Sequence, residues 1–358
     1  MRGLQGIIRA LKGGLRMNVA AALPARRALF HDRRAALANS LVLAWTCAAW
    51  VVSFPLMGAH EIVLNILGVL LCTHTMVLAA YLIHEAAHQN LFTSRQANHL
   101  TGEVMNFIAG SSYASFERIR HMHIRHHLDR ADVTCFDFKS LMRRRLWVRR
   151  SMQTLEWLYV PATEVLMHLQ VVWRPFFVPS QRRNLPRAAT MLVVRCTLLI
   201  LLGLWSVKAL LLYAVAMVLL LHTLNFFDAF HHTFPQYFIE PDEPLSITGR
   251  DQRYEQENTF SNLISYRYTW INLLTLNFGY HNAHHHRPSV PWHRLPTLHK
   301  GLFGEQTRSV LPLTELLRTW HRNRVRRVLS DDYGKPGQGP GRADNYVGAH
   351  GVSFLTVV

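Results

Sequence analysis

The chain has 358 residues, 49% hydrophobic and 17% charged, with a mean hydropathy of +0.05, which lies between a soluble enzyme and a bare membrane bundle and predicts a hybrid of the two. Its formal net charge of +17 alone is compatible with nucleic acid or an anionic membrane surface. The basic residues, however, concentrate in Arg2 to Arg34, Arg143 to Arg150, Arg182 to Arg187 and Arg322 to Arg327, beside apolar runs; a positive-inside distribution accounts for them and nucleic acid is not expected as a partner.

Residues 1–38 interleave Leu, Ile and Val with Arg and Lys, the pattern of a partly helical segment lying on a membrane surface; a disordered tail is the alternative. Val19 to Leu23 is too short for the apolar part of a cleavable signal. Membrane-spanning helices are predicted at about 41–57, broken near its end by Pro55, and at 62–83, joined by Gly58-Ala59-His60-Glu61 into a hairpin. A second hairpin is predicted from 188–207, which contains Arg195, and 210–230. Basic residues fall before the first span, between the second and third, and after the fourth, which places both termini and the long connections in the cytoplasm, with a bacterial inner membrane as the expected location.

Between the hairpins, 91–187 is too long and amphipathic for a plain loop. Leu141 to Val171 reads as helices in the headgroup layer or as a soluble helical subdomain, and Phe107 to Phe116 as a short apolar dip into the membrane. Residues 39–310 are taken as the main domain, 311–329 as a basic amphipathic helix, and 330–358, rich in Gly and Pro, as a mobile tail. The expected fold is an all-α membrane protein: about four transmembrane helices in two hairpins, with a cytosolic helical cap carrying a metal site. Cys47, Cys72, Cys135 and Cys196 include no Cys-x-x-Cys pair and are expected to be reduced thiols.

Twenty-two histidines match the 22 acidic residues in number, and neutral imidazole is the commonest metal ligand. His84-Glu85-Ala86-Ala87-His88 ends the second apolar run with two imidazoles one helical turn apart. His123, His126 and His127 stand at i, i+3 and i+4, and His281, His284 and His285 repeat that spacing. The candidate ligands are these eight and His232, enough for two metals with positions left open for oxygen or substrate. His121, His231 and His286 break the periodicity and are assigned as supporting or solvent groups. Asp228, one turn before His231-His232, either orients an imidazole or is a helix-end carboxylate in water.

The boxes His84 to His88, His123 to His127 and His281 to His285 resemble those of the integral-membrane fatty acid desaturase and hydroxylase superfamily, HxxxH, HxxHH and HxxHH. Asn258-Thr259-Phe260-Ser261-Asn262, Gly279-Tyr280, Arg287-Pro288 and Pro291-Trp292 are similar to that family's segments too. The resemblance implies a mushroom-shaped helical fold and a non-haem di-iron centre in a cytosolic cap. It also implies one further ligand near the end of the last span, here His231 or His232. It makes 39–310 desaturase-like, with molecular oxygen as co-substrate and a fatty acid or fatty acyl thioester as substrate. Electrons would come from an external donor, a ferredoxin or a cytochrome b5-like protein with its reductase. Desaturation is the expected reaction; decarboxylation to a terminal alkene and alkyl hydroxylation are alternatives on the same site. Taken alone, H-E-x-x-H is equally a zinc protease motif with Glu85 as base, but zinc needs only three protein ligands and leaves the other boxes without a purpose.

Overall fold

The structure, a computed structural model, describes residues 28–134, 136–238, 249–304, 309–337, 341–352 and 355. Helix dominates: α1 (Arg33–Gly58), α2 (Ile62–Ala87), α3 (Arg95–Ile108), α4 (Phe116–Asp129), α5 (Phe138–Arg144), α6 (Leu146–Trp157) and α7 (Ala162–Phe177) are followed by α8 (Leu185–Trp205), α9 (Val207–Ala229), α10 (Gln252–Glu257), α11 (His281–His286), α12 (Leu295–Phe303) and α13 (Leu313–Arg327). Among the described residues the only strands are β1 (Asp132–Thr134) and β2 (Gln236–Phe238), paired in parallel with Asp132 opposite Gln236.

Four helices are long and apolar enough to cross a membrane: α1, α2, the run Pro179–Trp205 that includes α8, and α9. At 1.5 Å per residue, 26 residues reach ~39 Å, enough for a hydrocarbon core of roughly 30 Å. Their outer faces carry bare Ile62, Val63, Leu70, Ile200, Leu204 and Leu211, as a lipid-facing surface requires, while α2 is buried all round from Thr75 to Ala87 because the other elements gather about its second half. The α1–α2 turn is tied by Asn65, whose side-chain amide donates to the carbonyls of Leu56, Met57 and Ala59.

Several boundaries differ from expectation. Helix α1 begins at Arg33, inside the stretch assigned to a surface segment, with Asp32 accepting from Ala35 N at 2.8 Å as its cap; residues 1–27 lie outside the described ones. It also runs through Pro55 to Gly58, the proline giving up the one bond its missing N–H would have donated to the carbonyl of Val51. The third span ends at Trp205, where Ser206 turns the chain and caps α9. Arg195, within that span, donates to the Phe107 carbonyl at the end of α3 and stacks 4.2 Å from the Phe107 ring, so its charge is used in capping a helix end.

The segment assigned as a mobile tail is the largest departure. Ala343, Tyr346, Val347, Ala349 and His350 are buried, and the segment 341–352, a turn followed by irregular chain, meets the end of α9, with Ala349 N donating to Ala229 O at 2.8 Å. Gly348, at φ +84°, has the Ala229 carbonyl 2.7 Å from where a Cβ would stand. Glycine here permits close approach of two backbones, which composition alone cannot distinguish from flexibility.

Candidate metal centre

Three local structures carry the histidines to one place. His84 is in the last turn of α2 and His88 caps it. Helix α4 presents His123, His126 and His127, its N-terminus capped by Ser115, whose hydroxyl accepts from Arg118 N at 3.2 Å. Helix α11 is a single turn and a half holding His281, His284 and His285. Parallel pairing of β1 with β2 ties the residues just after α4 to those just after α9. Segment 258–262 fills the space between: Phe260 N donates to His231 O at 2.8 Å, and Asn262 N to Gly279 O at 3.1 Å. Only glycine fits at 279, because a Cβ would come 2.8 Å from the Asn262 carbonyl.

The imidazoles form two adjoining groups. One holds His84, His88, His123, His127 and His284, the other His126, His232, His281 and His285, with one nitrogen from each member within 4.8 Å of the others in its group. In the first, Nε2 atoms of His88 and His123 are 2.7 Å apart, those of His84 and His284 3.0 Å, and those of His284 and His127 3.1 Å; in the second, His281 and His232 approach to 2.8 Å. The groups touch through His127 and His285, whose ring centroids are 4.3 Å apart.

Outer contacts fix which nitrogen points inward. His126 Nδ1 donates to the Ala131 carbonyl (2.9 Å), and His285 Nδ1 to Glu255 Oε1 (2.9 Å). Thr259 gives its hydroxyl proton to the Glu255 carbonyl at 2.7 Å and so accepts from His232 Nδ1 at 3.3 Å. Each of these rings therefore turns an Nε2 lone pair toward its group. His285 Nε2 is buried and has no hydrogen-bond partner among the described residues, as an atom open to a metal would be.

Burial, then neighbouring imidazoles, hold His123, His127, His232, His281, His284 and His285 well below the usual histidine value. Burial takes His88 down to about 3 and His126 to about 4. All eight are thus neutral at pH 7, the form that binds metals. Nine imidazoles crowded nitrogen to nitrogen cannot satisfy one another, since each close pair shares one proton at most; such a donor set fits two cations, one per group.

The remaining candidates fall outside the groups. His231 Nε2 is 2.7 Å from Asn262 Oδ1, and its ring stacks on His281 at 3.9 Å; the geometry places His232, and not His231, among the converging nitrogens. His121 is exposed on the opposite face of α4, and His286 accepts from Gln252 Nε2 at 3.1 Å. Glu85 is buried and accepts from Trp292 N at 3.0 Å, 3.5 Å from His84 Nδ1; it braces the 291–292 turn and is not poised over the nitrogens as a protease base would be. Glu255 and Thr259 were not singled out from sequence. Thr259 lies in a segment that resembles the family, whereas Glu255 looks like any helical surface glutamate.

A cavity of about 60 Å³ adjoins the second group, walled by Met122, Val133, Phe278 and Val352, with Asp228 facing in beside His231 and His232. Asp228 and Val352 also line a second cavity of about 110 Å³ between α7 and α9, which shares His168 and Met217 with a third, of about 510 Å³, among α1, α3, α8 and α9. The three cavities thus lie side by side between the histidines and the lipid-facing helices.

Comparison with known proteins agrees with this geometry. The chain is 30% identical over 245 residues to the sphingolipid delta(4)-desaturase DES1 of Rattus norvegicus and to that of Mus musculus, and 31% identical over 247 residues to that of Homo sapiens. Each match covers 63% of this chain and 61% of the relative. Residues 59–316, which include every histidine of the two groups, match the family described as fatty acid desaturase, and the chain belongs to that family.

Proposed function

We propose that this protein is an oxygen-dependent di-iron enzyme that oxidises an unactivated C–H bond of a fatty acid or fatty acyl chain, most directly by desaturation. One observation carries this: imidazoles spread from residue 84 to residue 285 converge as two adjoining groups beside an apolar path toward the membrane spans. His84, His88, His123, His127 and His284 are proposed to hold one iron, and His126, His232, His281 and His285 the other. Imidazole suits iron, and an iron pair supplies what side chains lack, the electrons to turn oxygen into an oxidant strong enough for an aliphatic C–H bond. Glu255, Thr259 and the Ala131 carbonyl orient the ligands. Met122, Val133, Phe278 and Val352 seat the chain and keep water out.

Desaturation is favoured because the similar proteins are named as desaturases acting on sphingolipids. Hydroxylation and decarboxylation to a terminal alkene share its first hydrogen abstraction and differ only in where the reacting carbon sits. Electrons come from an external donor, a ferredoxin or a cytochrome b5-like protein with its reductase. The site and both termini are placed on the cytoplasmic side, following the distribution of basic residues. The test is expression with a reductase system, with metal analysis and mass spectrometry of lipids and headspace hydrocarbons, with and without oxygen. About two irons per chain and a new oxygen-dependent lipid product are expected. One zinc per chain, or unchanged lipids and hydrocarbons from iron-loaded enzyme, overturns the proposal.

A further inference from the structure

A second cluster of metal-binding side chains lies apart from the histidine groups. Glu156 is in the last turn of α6, Glu164 in the first turn of α7, and His350 on the segment crossing the end of α9. One ligand atom from each lies within 4.8 Å of the others. All three are buried, at 6%, 7% and 1% exposure. We propose that Glu156, Glu164 and His350 bind a divalent transition cation, zinc by preference, which staples the C-terminal segment to α6 and α7.

The side chains are incomplete without an ion. Among the described residues, neither carboxylate oxygen of Glu164 nor either ring nitrogen of His350 has a hydrogen-bond partner. His350 Nε2 stands 4.0 Å from Glu156 Oε1 and His350 Nδ1 3.8 Å from Glu164 Oε1, too far for hydrogen bonds. Atoms ~2.0–2.2 Å from a tetrahedral zinc stand roughly 3.3–3.6 Å apart, so the three ligand atoms, within 4.8 Å of one another here, draw together around one His350 nitrogen when the ion binds. The nearby cation, Arg327, directs its hydrogen bonds elsewhere: its Nε donates to Val347 O at 2.8 Å and its Nη2 to Trp320 O at 3.2 Å, with its plane 4.0 Å from the Trp320 ring, and its charge only partly offsets the burial of the two glutamates. It forms no ion pair with either glutamate among the described residues. Burial accordingly raises Glu156 to about 7 and Glu164 to about 8; a double positive charge between them removes that penalty.

Glu156 and Glu164 lie within the segment matched to the family, which ends at residue 316, whereas His350 lies beyond it. Val352, two residues on, lines the cavity beside the histidines, and holding His350 holds that wall.

Full-length protein, purified in detergent and metal-loaded, is incubated with zinc chloride, desalted, and analysed for all metals by mass spectrometry. Wild type is expected to hold one zinc more per chain than Glu164→Gln or His350→Gln, with the other metals unchanged. Because the reading is a difference of one zinc, it stands whichever metal fills the histidine groups. Zinc is also expected to slow tryptic cleavage at Arg342 in wild type and not in His350→Gln. Wild type that takes up zinc only as other metal leaves, or takes up none, overturns the proposal, as does equal zinc in all three proteins. Wild-type stoichiometry and protection at Arg342 decide the matter even if both variants fail to fold.

Discussion

Replacing Glu255 tests whether the groups behind the imidazoles set metal affinity. His285 Nδ1 donates to Glu255 Oε1 at 2.9 Å, with the two side chains 0% and 6% exposed, and Glu255 Oε2 accepts from Arg130 Nε at 3.0 Å. A hydrogen bond to a charged partner contributes ~1.5–3 kcal/mol. At about 1.4 kcal/mol per factor of ten this is ~10–100-fold in affinity, the range found when a partner behind a metal-bound histidine is removed. Glu255→Gln keeps an acceptor but loses the charge and should weaken iron binding by about 10-fold; Glu255→Ala, which also strands Arg130, should approach ~100-fold. Dialysis against graded chelator, followed by iron analysis, reads this directly. Glu257→Gln is the control: it sits on the same helix, pairs with exposed Arg253, removes the same charge and should leave iron retention unchanged. Equal chelator midpoints for wild type and Glu255→Ala would refute the orienting role.

His232→Ala should lose iron from the second group, whereas His231→Gln, whose ring nitrogen is engaged with Asn262, should keep it; the reverse result in metal analysis would exchange their roles. Gly279→Ala drives a Cβ to 2.8 Å from the Asn262 carbonyl, a backbone contact that cannot swing away, and should destabilise by ~1–3 kcal/mol; an unchanged melting midpoint would contradict this. Tyr346→Phe removes the hydroxyl that donates to His232 O at 2.8 Å and should lower stability by about 1 kcal/mol with iron content retained, which thermal unfolding and metal analysis check together. In metal-free protein, acid should unfold the chain. Buried His88 and His126 are depressed from 6.5 to about 3 and about 4, so their contribution is complete above pH 6.5 and is lost as pH falls through that window. Glu156 and Glu164 shift the opposite way but are outnumbered by the depressed histidines. A melting midpoint that stays flat from pH 7 to pH 4.5 would refute this.

Spacing and hydropathy determine much of this protein. Apolar runs of bilayer length survive any context, since a helix is the way such a run satisfies its backbone in lipid; the existence of the four spans was therefore legible, though the first and third begin eight and nine residues earlier than expected. Imidazoles at i, i+3 and i+4 share a helix face whatever surrounds them, so His123, His126 and His127, and His281, His284 and His285, identified themselves. What partners each face is a long-range matter. Only the folded chain separated His232 from His231, because the choice depends on Asn262 reaching one ring and Thr259 the other. Only it revealed Glu255, a carboxylate with no local mark that gains meaning from lying against a histidine 30 residues away. The C-terminal segment makes the same point: its glycines and polar residues carry no periodicity, and it is ordered by backbone contact with α9, more than 100 residues earlier.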